Sequence, residues 1–220
     1  MKNEFEQFHF IEESEYGEFK MGGHASHTMH YDPRRLVFML SRYKFVSKML
    51  EGKADVLEVG CADGFGSNIV APTVGKLTIT DFDQRMVDEA QRCASKENNE
   101  TSRLNLLEGK YEREVDAIYL MDVFEHIESQ YENLLLENIS KSLKSDGVCI
   151  IGIPSLESQV YASEGSIEGH VNCKSGDVLK ELTEKYFENV FLFSANDEVI
   201  HTGYNKMAHY LIALCVAPKR

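Results

Sequence analysis

The sequence contains no tryptophan, only four prolines and no long apolar run in its 220 residues. So few prolines argue against a proline-rich linker or low-complexity chain. A membrane-spanning helix requires about 18 or more consecutive apolar residues, and no stretch approaches that length. The opening residues, MKNEFEQFHF, also lack the apolar segment of a secretory signal. We therefore expect a cytoplasmic protein that does not cross a membrane.

Positive charge is scarce, because 23 Lys and Arg residues face 36 Asp and Glu residues, for a formal net charge of −13. Nucleic-acid binding requires a basic surface that displaces counterions from phosphates, so we expect no nucleic-acid partner. The five cysteines form no CxxC pair. Their odd number and scattered positions favour free thiols in a reducing compartment.

From residue 54 onward, short apolar runs alternate with amphipathic segments. This pattern predicts strands over 55–60, 76–81, 104–108, 116–122 and 148–154, and then over 189–197 and 209–218. Strand-helix alternation with short links is typical of a doubly wound, mostly parallel sheet with helices on both faces. The last two strands follow each other without a helix, which predicts an antiparallel pair at one edge of an α/β fold.

A basic helix is predicted to begin at Asp32-Pro33, with Asp32 as its N-cap and proline at the first helical position. Its positive residues are Arg34, Arg35, Arg42, Lys44 and Lys48. One interpretation is an ordinary solvated face. The other is a surface that attracts an anionic small molecule.

The stretch VLEVGCADGFGS, residues 56–67, joins the first predicted strand to a glycine-rich turn. A P-loop would need GxxxxGK[ST], and the stretch has no lysine. A dinucleotide fingerprint, GxGxxG, counted from Gly60 fails at its third position, which is Phe65. The remaining pattern is Glu58, Gly60, Ala62 and Gly64, in which the acidic residue disfavours a pyrophosphate and suits a ligand with an ammonium group.

A second acidic position closes the next strand, in LTITDFDQRMVDEA. Asp81 lies about twenty residues after the glycine-rich turn, where a carboxylate can accept both hydroxyls of a ribose. Asp83 is the competing candidate, and we interpret it as the N-cap of the following helix. A third acidic position, Asp122, ends a strand in DAIYLMDVFEHI and is followed by the pair Glu125-His126.

These three motifs, in this order, resemble those of the class I S-adenosylmethionine-dependent methyltransferases, over residues 35–218. The resemblance implies a Rossmann-like fold, an N-terminal lid over residues 1–31 and a methyltransferase domain over 32–220. It implies S-adenosylmethionine as the cofactor, contacted by Glu58, Gly60, Cys61, Ala62, Gly64, Asp81, Phe82, Met86, Asp122, Val123 and His126.

Three histidines are candidate proton acceptors for the methyl transfer, although each could be structural instead. His27 is central in the lid segment HASHTMH, His170 lies in GHVNC, and His201 lies in the turn between the last two strands. A histidine of pKa near 7 suits removal of a hydroxyl proton. On a helix the lid histidines would diverge, and no carboxylate or thiolate is spaced to complete a metal site, so we predict no metal.

The expected reaction is therefore O-methylation of a small polar acceptor, such as a sugar or a sugar-phosphate or nucleotide derivative. The stretches YDPRRLVFMLSRYKFV and GHVNC are also similar to small bacterial methyltransferases of surface-polysaccharide biosynthesis. Two alternatives stay open: N-methylation of a small amine, and a cofactor-binding protein without turnover. The oligomeric state is open as well, with a homodimer as one option.

Overall fold

The computed structural model describes residues 19–94 and 98–220. Among these residues, eight strands form one sheet. They are β1 (Asp55–Val59), β2 (Lys76–Asp81), β3 (Asn99–Arg103), β4 (Val115–Met121), β5 (Leu143–Pro154), β6 (Phe187–Asn196), β7 (Val199–His201) and β8 (Tyr210–Pro218).

The strand order is β3-β2-β1-β4-β5-β8-β6-β7. The first five strands in this order are mutually parallel, whereas β8 is antiparallel to β5, β6 to β8, and β7 to β6. The predicted doubly wound α/β fold with an antiparallel end is confirmed. Because β1, β2 and β4 are parallel neighbours, their carboxyl ends meet at one edge of the sheet.

Seven α-helices occur among the described residues. They are α1 (Gly23–Tyr31), α2 (Pro33–Met49), α3 (Ser67–Val70), α4 (Gln84–Cys93), α5 (Glu132–Lys141), α6 (Glu164–Gly169) and α7 (Gly176–Thr183). None of the helices in the described part of the chain is long and apolar enough to span a membrane.

Two apolar cores cover the two faces of the sheet. On one face, Tyr43 and Val46 of α2 pack with Ala90 of α4. On the other, Leu135 of α5 packs with Leu179 of α7. Helices on both faces leave the carboxyl ends of the parallel strands as the open edge of the domain.

The prediction for the third strand was wrong. The apolar segment over 104–108 is a turn whose Leu106 packs into a core, and the strand itself is the polar segment over 99–103. β3 lies at the edge of the sheet beside β2 alone, with side chains that are mostly half-buried. An edge strand needs little apolar character, so its sequence carried no signal.

Asp32 is the N-cap residue of α2, as predicted, but not by the expected side-chain contact. Helix α2 does begin at Pro33, but the Asp32 side chain makes no capping hydrogen bond. Its Oδ1 accepts instead from Nε of Arg34, at 3.3 Å. The first 18 residues of the predicted lid lie outside the described residues.

Candidate functional site

The glycine-rich turn after β1 has three residues with positive φ: Gly60 at 77°, Ala62 at 49° and Gly64 at 72°. A Cβ added to Gly60 would lie 2.3 Å from Cγ2 of Val123, so glycine is required there for space as well as for backbone conformation. The sequence thus folds into a sharp turn that keeps the main chain close to the end of β4.

Glu58 lies beneath this turn and is 1% exposed. Its Oε2 accepts from Oγ of Ser67 at the start of α3, and the hydroxyls of Tyr43 and Tyr119 face the same carboxyl. Burial raises the pKa of Glu58 to about 7, against the lowering effect of these hydroxyls. The carboxyl therefore holds the first strand to α3, and its contact with the cofactor's ammonium group stays a prediction.

Asp81 ends β2 and connects two loops. Its Oδ2 accepts from the Ala62 N–H at 3.1 Å, and its Oδ1 accepts from the Asp83 N–H at 2.9 Å. Asp83 is the N-cap of α4, because its side chain accepts from the Arg85 N–H. The N-cap interpretation of Asp83 is confirmed, whereas the ribose contact of Asp81 stays a prediction. Phe82 between them is 67% exposed beside the edge.

Asp122 follows β4 with φ of 57°, a left-handed conformation that turns the chain sharply. Both its carboxylate oxygens accept from Nη1 of Arg42, each at 3.0 Å. The Arg42 guanidinium also lies 3.5 Å from the centroid of the Tyr210 ring. Burial alone would lower the pKa of Arg42, but Asp122 raises it, so the basic helix contributes a partly buried ion pair to this edge.

Glu125, His126 and His170 form a cluster just beyond Asp122. The rings of His126 and His170 meet edge to face, with centroids 5.3 Å apart. The loop that carries His170 is fixed to the end of β4, because the Asn172 N–H donates to the Glu125 carbonyl at 2.9 Å. Two predicted residues from distant segments, His126 and His170, are thus brought together.

The lid segment HASHTMH is helical and makes up most of α1. The N-terminus of α1 docks on the glycine-rich turn, since the Ala25 N–H donates to Oδ2 of Asp63 at 2.7 Å. The Gly23 N–H donates to Oε1 of Glu89 on α4, at 2.5 Å. Two carboxylates therefore satisfy main-chain donors at the first turn of this helix.

The histidines of α1 are exposed and do not converge. His27 packs its ring against that of Tyr31, with centroids 4.4 Å apart. His201 is held within its own hairpin, where its Nε2 bonds Oδ1 of Asn196 and its Nδ1 accepts from the Gly203 N–H, both at 2.9 Å. With both nitrogens engaged locally, His201 has no free position for a substrate proton.

The remaining predicted cofactor residues line the same region. Cys61 is buried in the turn, and burial raises the pKa of its thiol well above the ordinary value. Met86 is half-buried in the first turn of α4, and Val123 is half-buried against Gly60.

Sequence reasoning missed Arg42, Asp63 and Tyr210 as parts of this edge. Arg42 adjoins the apolar position Tyr43, which was the one hint that its side chain is inward. Asp63 lies inside the glycine-rich pattern, yet that pattern specifies only small and acidic residues at other positions. Tyr210 belongs to an apolar strand, where a core role is the ordinary expectation.

This edge fits S-adenosylmethionine. Each oxygen of Asp81 accepts one main-chain N–H and retains a lone pair for a ribose hydroxyl. Asp122 is 37% exposed at the next strand end, within reach of a positively charged ligand. The turn between them contains two glycines with positive φ, Gly60 and Gly64.

Known structures share this fold. N-methyltransferase NodS from Bradyrhizobium japonicum WM9, in complex with S-adenosyl-L-homocysteine, has a TM-score of 0.60 and 17% identity, covering 86% of this chain and 87% of that one. A DhpI–SAH complex has a TM-score of 0.62 and 17% identity, covering 88% of each chain. A structure described as an O-methyltransferase of Nostoc punctiforme PCC 73102 has a TM-score of 0.59 and 14% identity, covering 80% of this chain and 57% of that one.

Residues 57–149 match the family model described as a methyltransferase domain. No curated protein sequence matches the chain. The fold is that of the class I S-adenosylmethionine-dependent methyltransferases, so the resemblance seen in the sequence is confirmed. This fold, together with the match over residues 57–149, favours a methyltransferase that uses S-adenosylmethionine.

Proposed function

We propose that this methyltransferase transfers a methyl group to an oxygen of a small, polar, anionic acceptor, such as a sugar phosphate or a nucleotide-linked sugar. The observation that carries the proposal is the imidazole pair of His126 and His170, with ring centroids 5.3 Å apart just beyond Asp122. This pair would lie on the acceptor side of the bound cofactor. A hydroxyl acceptor needs such groups because its proton must leave, whereas a free amine needs less help.

On the cofactor side, we propose that Asp81 accepts the ribose hydroxyls and that Asp122 faces the methionine part. The bound cofactor supplies a sulfonium methyl that is already activated for in-line displacement. The S–CH₃ bond breaks with its electron pair remaining on sulfur, a new O–CH₃ bond forms, and the hydroxyl proton is released. The protein mainly contributes alignment of the two reactants at near-attack distance.

Two features support an anionic acceptor. Burial lowers the pKa of His170 most, His126 lowers it further, Asp122 opposes them, and the positive charge of Arg35 makes a smaller lowering contribution. Arg42 lies at the same edge, although its guanidinium is committed to Asp122. We propose that residues 19–31, through the contact of α1 with Asp63, form the described part of a lid over this site, with the remaining domain over 32–220.

Calorimetric titration with S-adenosylmethionine and S-adenosylhomocysteine tests the cofactor side. We expect micromolar binding that Asp81→Ala weakens by at least about tenfold, equivalent to 1.4 kcal/mol. Asp88→Ala, an exposed carboxylate on α4, is the matched control and should bind like the original protein. Tight binding of NAD instead, or equal binding by both variants, would overturn the assignment of the glycine-rich turn.

A screen of anionic sugar and nucleotide-sugar acceptors tests the acceptor side. We expect His170→Asn to lower kcat by about 100-fold or more while leaving the Kd of the cofactor within about threefold. An N-methyltransferase would keep most of its rate in this variant. That result, together with turnover of a small amine, would favour the alternative reaction.

A further inference from the structure

The Glu125 carboxyl is the unexplained group at the carboxyl edge of the sheet. Its side chain is completely buried, and neither carboxylate oxygen has a hydrogen-bond partner from another residue within the described parts of the chain. An unpaired buried carboxylate is costly, so it must either carry a proton or meet a cation. The surroundings of Glu125 distinguish these two possibilities.

Two imidazoles surround this carboxyl. One ligand atom each from Glu125, His126 and His170 lie within 4.8 Å of one another. Ligands about 2.1 Å from one ion lie about 3 to 4 Å apart, so the three groups need to draw together by only about 1 Å. Glu125 is buried whereas His126 is exposed, so the cluster lies at the boundary between the interior and solvent.

Each histidine has one ring nitrogen in a hydrogen bond, which leaves the other available as a metal ligand. Nδ1 of His126 bonds the Gly169 carbonyl at 2.8 Å, and Nδ1 of His170 bonds Oε1 of Gln159 at 3.1 Å. Since both partners are oxygen acceptors, each Nδ1 carries the hydrogen and each Nε2 carries a lone pair. A metal-binding histidine typically donates its other N–H in this way, which fixes the tautomer and the ring orientation.

The amide of Gln159 is itself fixed in the orientation that this pattern requires. Its Nε2 donates to the Ser155 carbonyl at 3.1 Å and to Oγ of Ser158 at 3.3 Å. The amide oxygen must then face His170. The tautomer of His170 is therefore determined by three residues that precede it in the same loop.

Charges of both signs act on the cluster. Burial raises the pKa of Glu125 well above its ordinary range, and the negative charge of Asp122 raises it further. Arg42 opposes this effect, but its guanidinium is paired with both oxygens of Asp122. Arg35 also acts on the cluster, through an effect on the pKa of His170 that is smaller than those of burial and His126. The pair Arg42–Asp122 is neutral, so Glu125 lacks a counter-charge of its own.

We propose that Glu125, His126 and His170 bind one divalent transition-metal ion. Two imidazole nitrogens and one carboxylate oxygen suit Mn²⁺, Fe²⁺, Co²⁺ or Zn²⁺ better than Mg²⁺ or Ca²⁺, which prefer oxygen ligands alone. Three protein ligands leave coordination positions open. If the proposed function holds, an acceptor oxygen takes one of these positions, and the ion lowers the pKa of that hydroxyl and orients it toward the methyl donor. His170 would then act on the acceptor through the ion rather than as the proton acceptor itself.

Metal binding is tested directly on the purified, chelator-treated protein with CoCl₂ and MnCl₂, without any acceptor. We expect one Co²⁺ per chain, with visible absorption bands typical of nitrogen and oxygen ligation, and one Mn²⁺ by calorimetry. Glu125→Gln and His170→Asn should each weaken binding by at least about tenfold. His30→Asn, in the exposed histidine-rich helix α1, is the matched control and should leave binding unchanged.

The proposal is overturned if the protein binds neither ion at millimolar concentration, or if His30→Asn abolishes binding while the cluster variants retain it. Circular dichroism of each variant verifies folding, and His170 lies in a half-exposed loop where loss of the fold is not expected. Titration with S-adenosylmethionine is run separately. Metal binding without cofactor binding would refute the proposed function alone, and cofactor binding without metal binding would refute the metal site alone.

Discussion

Replacement of Glu58 by glutamine should change how the stability of the protein depends on pH. In the folded protein burial raises the pKa of Glu58 to about 7, from an ordinary value of 4.5. Between these values the unfolded chain loses this proton while the folded protein retains it. The contribution of Glu58 to stability is therefore largest below pH 4.5, and it is lost as the pH rises through about 7.

The size of this effect follows from the shift. One pKa unit corresponds to about 1.4 kcal/mol, so the full change in unfolding free energy is about 3 kcal/mol. Between about pH 5.5 and about pH 8 the expected loss is about 2 kcal/mol. Glu58→Gln removes the titration while its amide oxygen can still accept from Ser67. The variant should therefore lose less stability than the original protein over this pH range.

Urea unfolding followed by far-ultraviolet circular dichroism measures this difference, because the chain has no tryptophan to serve as a fluorescence probe. A difference of about 2 kcal/mol corresponds to a midpoint shift of about 1 M urea. Glu51→Gln, with a side chain 63% exposed, is the control and should follow the original protein. Parallel loss of stability by Glu58→Gln and the original protein would refute the buried, proton-binding role of Glu58.

Three further changes test the architecture of the same edge. Gly60→Ala should destabilise the protein by about 2 kcal/mol or more in urea unfolding, because φ is 77° and Val123 fills the space of a Cβ. The control Gly109→Ala, where a Cβ meets open space, should cost under about 0.5 kcal/mol. Equal costs for the two variants would contradict the requirement for glycine at position 60. Arg42→Met should lower the unfolding free energy by about 1–3 kcal/mol in the same assay, because it leaves Asp122 unpaired but partly exposed. The pairing would be refuted if adding Asp122→Asn to this variant restored none of the lost stability. Asp63→Ala should release α1 and accelerate tryptic cleavage after Lys20, measured by mass spectrometry, and an unchanged cleavage rate would show that the Ala25 contact does not hold the helix.

Most of the fold could be predicted from the sequence because the buried strands carry a strong apolar signal. β1, β4 and the 148–154 part of β5 lie inside the sheet and are largely apolar. β3 fails this rule because an edge strand is buried on fewer sides. The neighbouring LNLLE segment is apolar for another reason, since its Leu106 enters the core from a turn. An apolar pattern indicates that a segment is buried. A buried segment can be identified as a strand only inside the sheet, because at the edge a strand can be polar and a turn can be apolar.

The candidate site divides in the same way. Asp81 and Asp122 could be predicted because parallel strands bring their carboxyl ends to one edge, so order along the chain is enough. The pairing of Arg42 with Asp122 could not, because it joins residues 80 positions apart through the packing of α2. From the sequence alone, His170 and His201 were both candidate proton acceptors, and no feature of the sequence separated them. Only the positions of their hydrogen-bond partners separate a histidine with an available nitrogen from one with none.

Four of the carboxyls at this edge are stabilised in different ways. Glu58 has hydroxyl donors and a pKa raised to about 7, Asp81 has two main-chain N–H groups, and Asp122 has a guanidinium. Glu125 has none of these, although it is as deeply buried as Glu58. The fold thus provides a partner for three of these carboxyls and leaves Glu125 beside two imidazoles. An ion from solution as the partner of Glu125 explains this difference. The Co²⁺ spectrum of the original protein is therefore the measurement that separates a structural glutamic acid from a metal ligand.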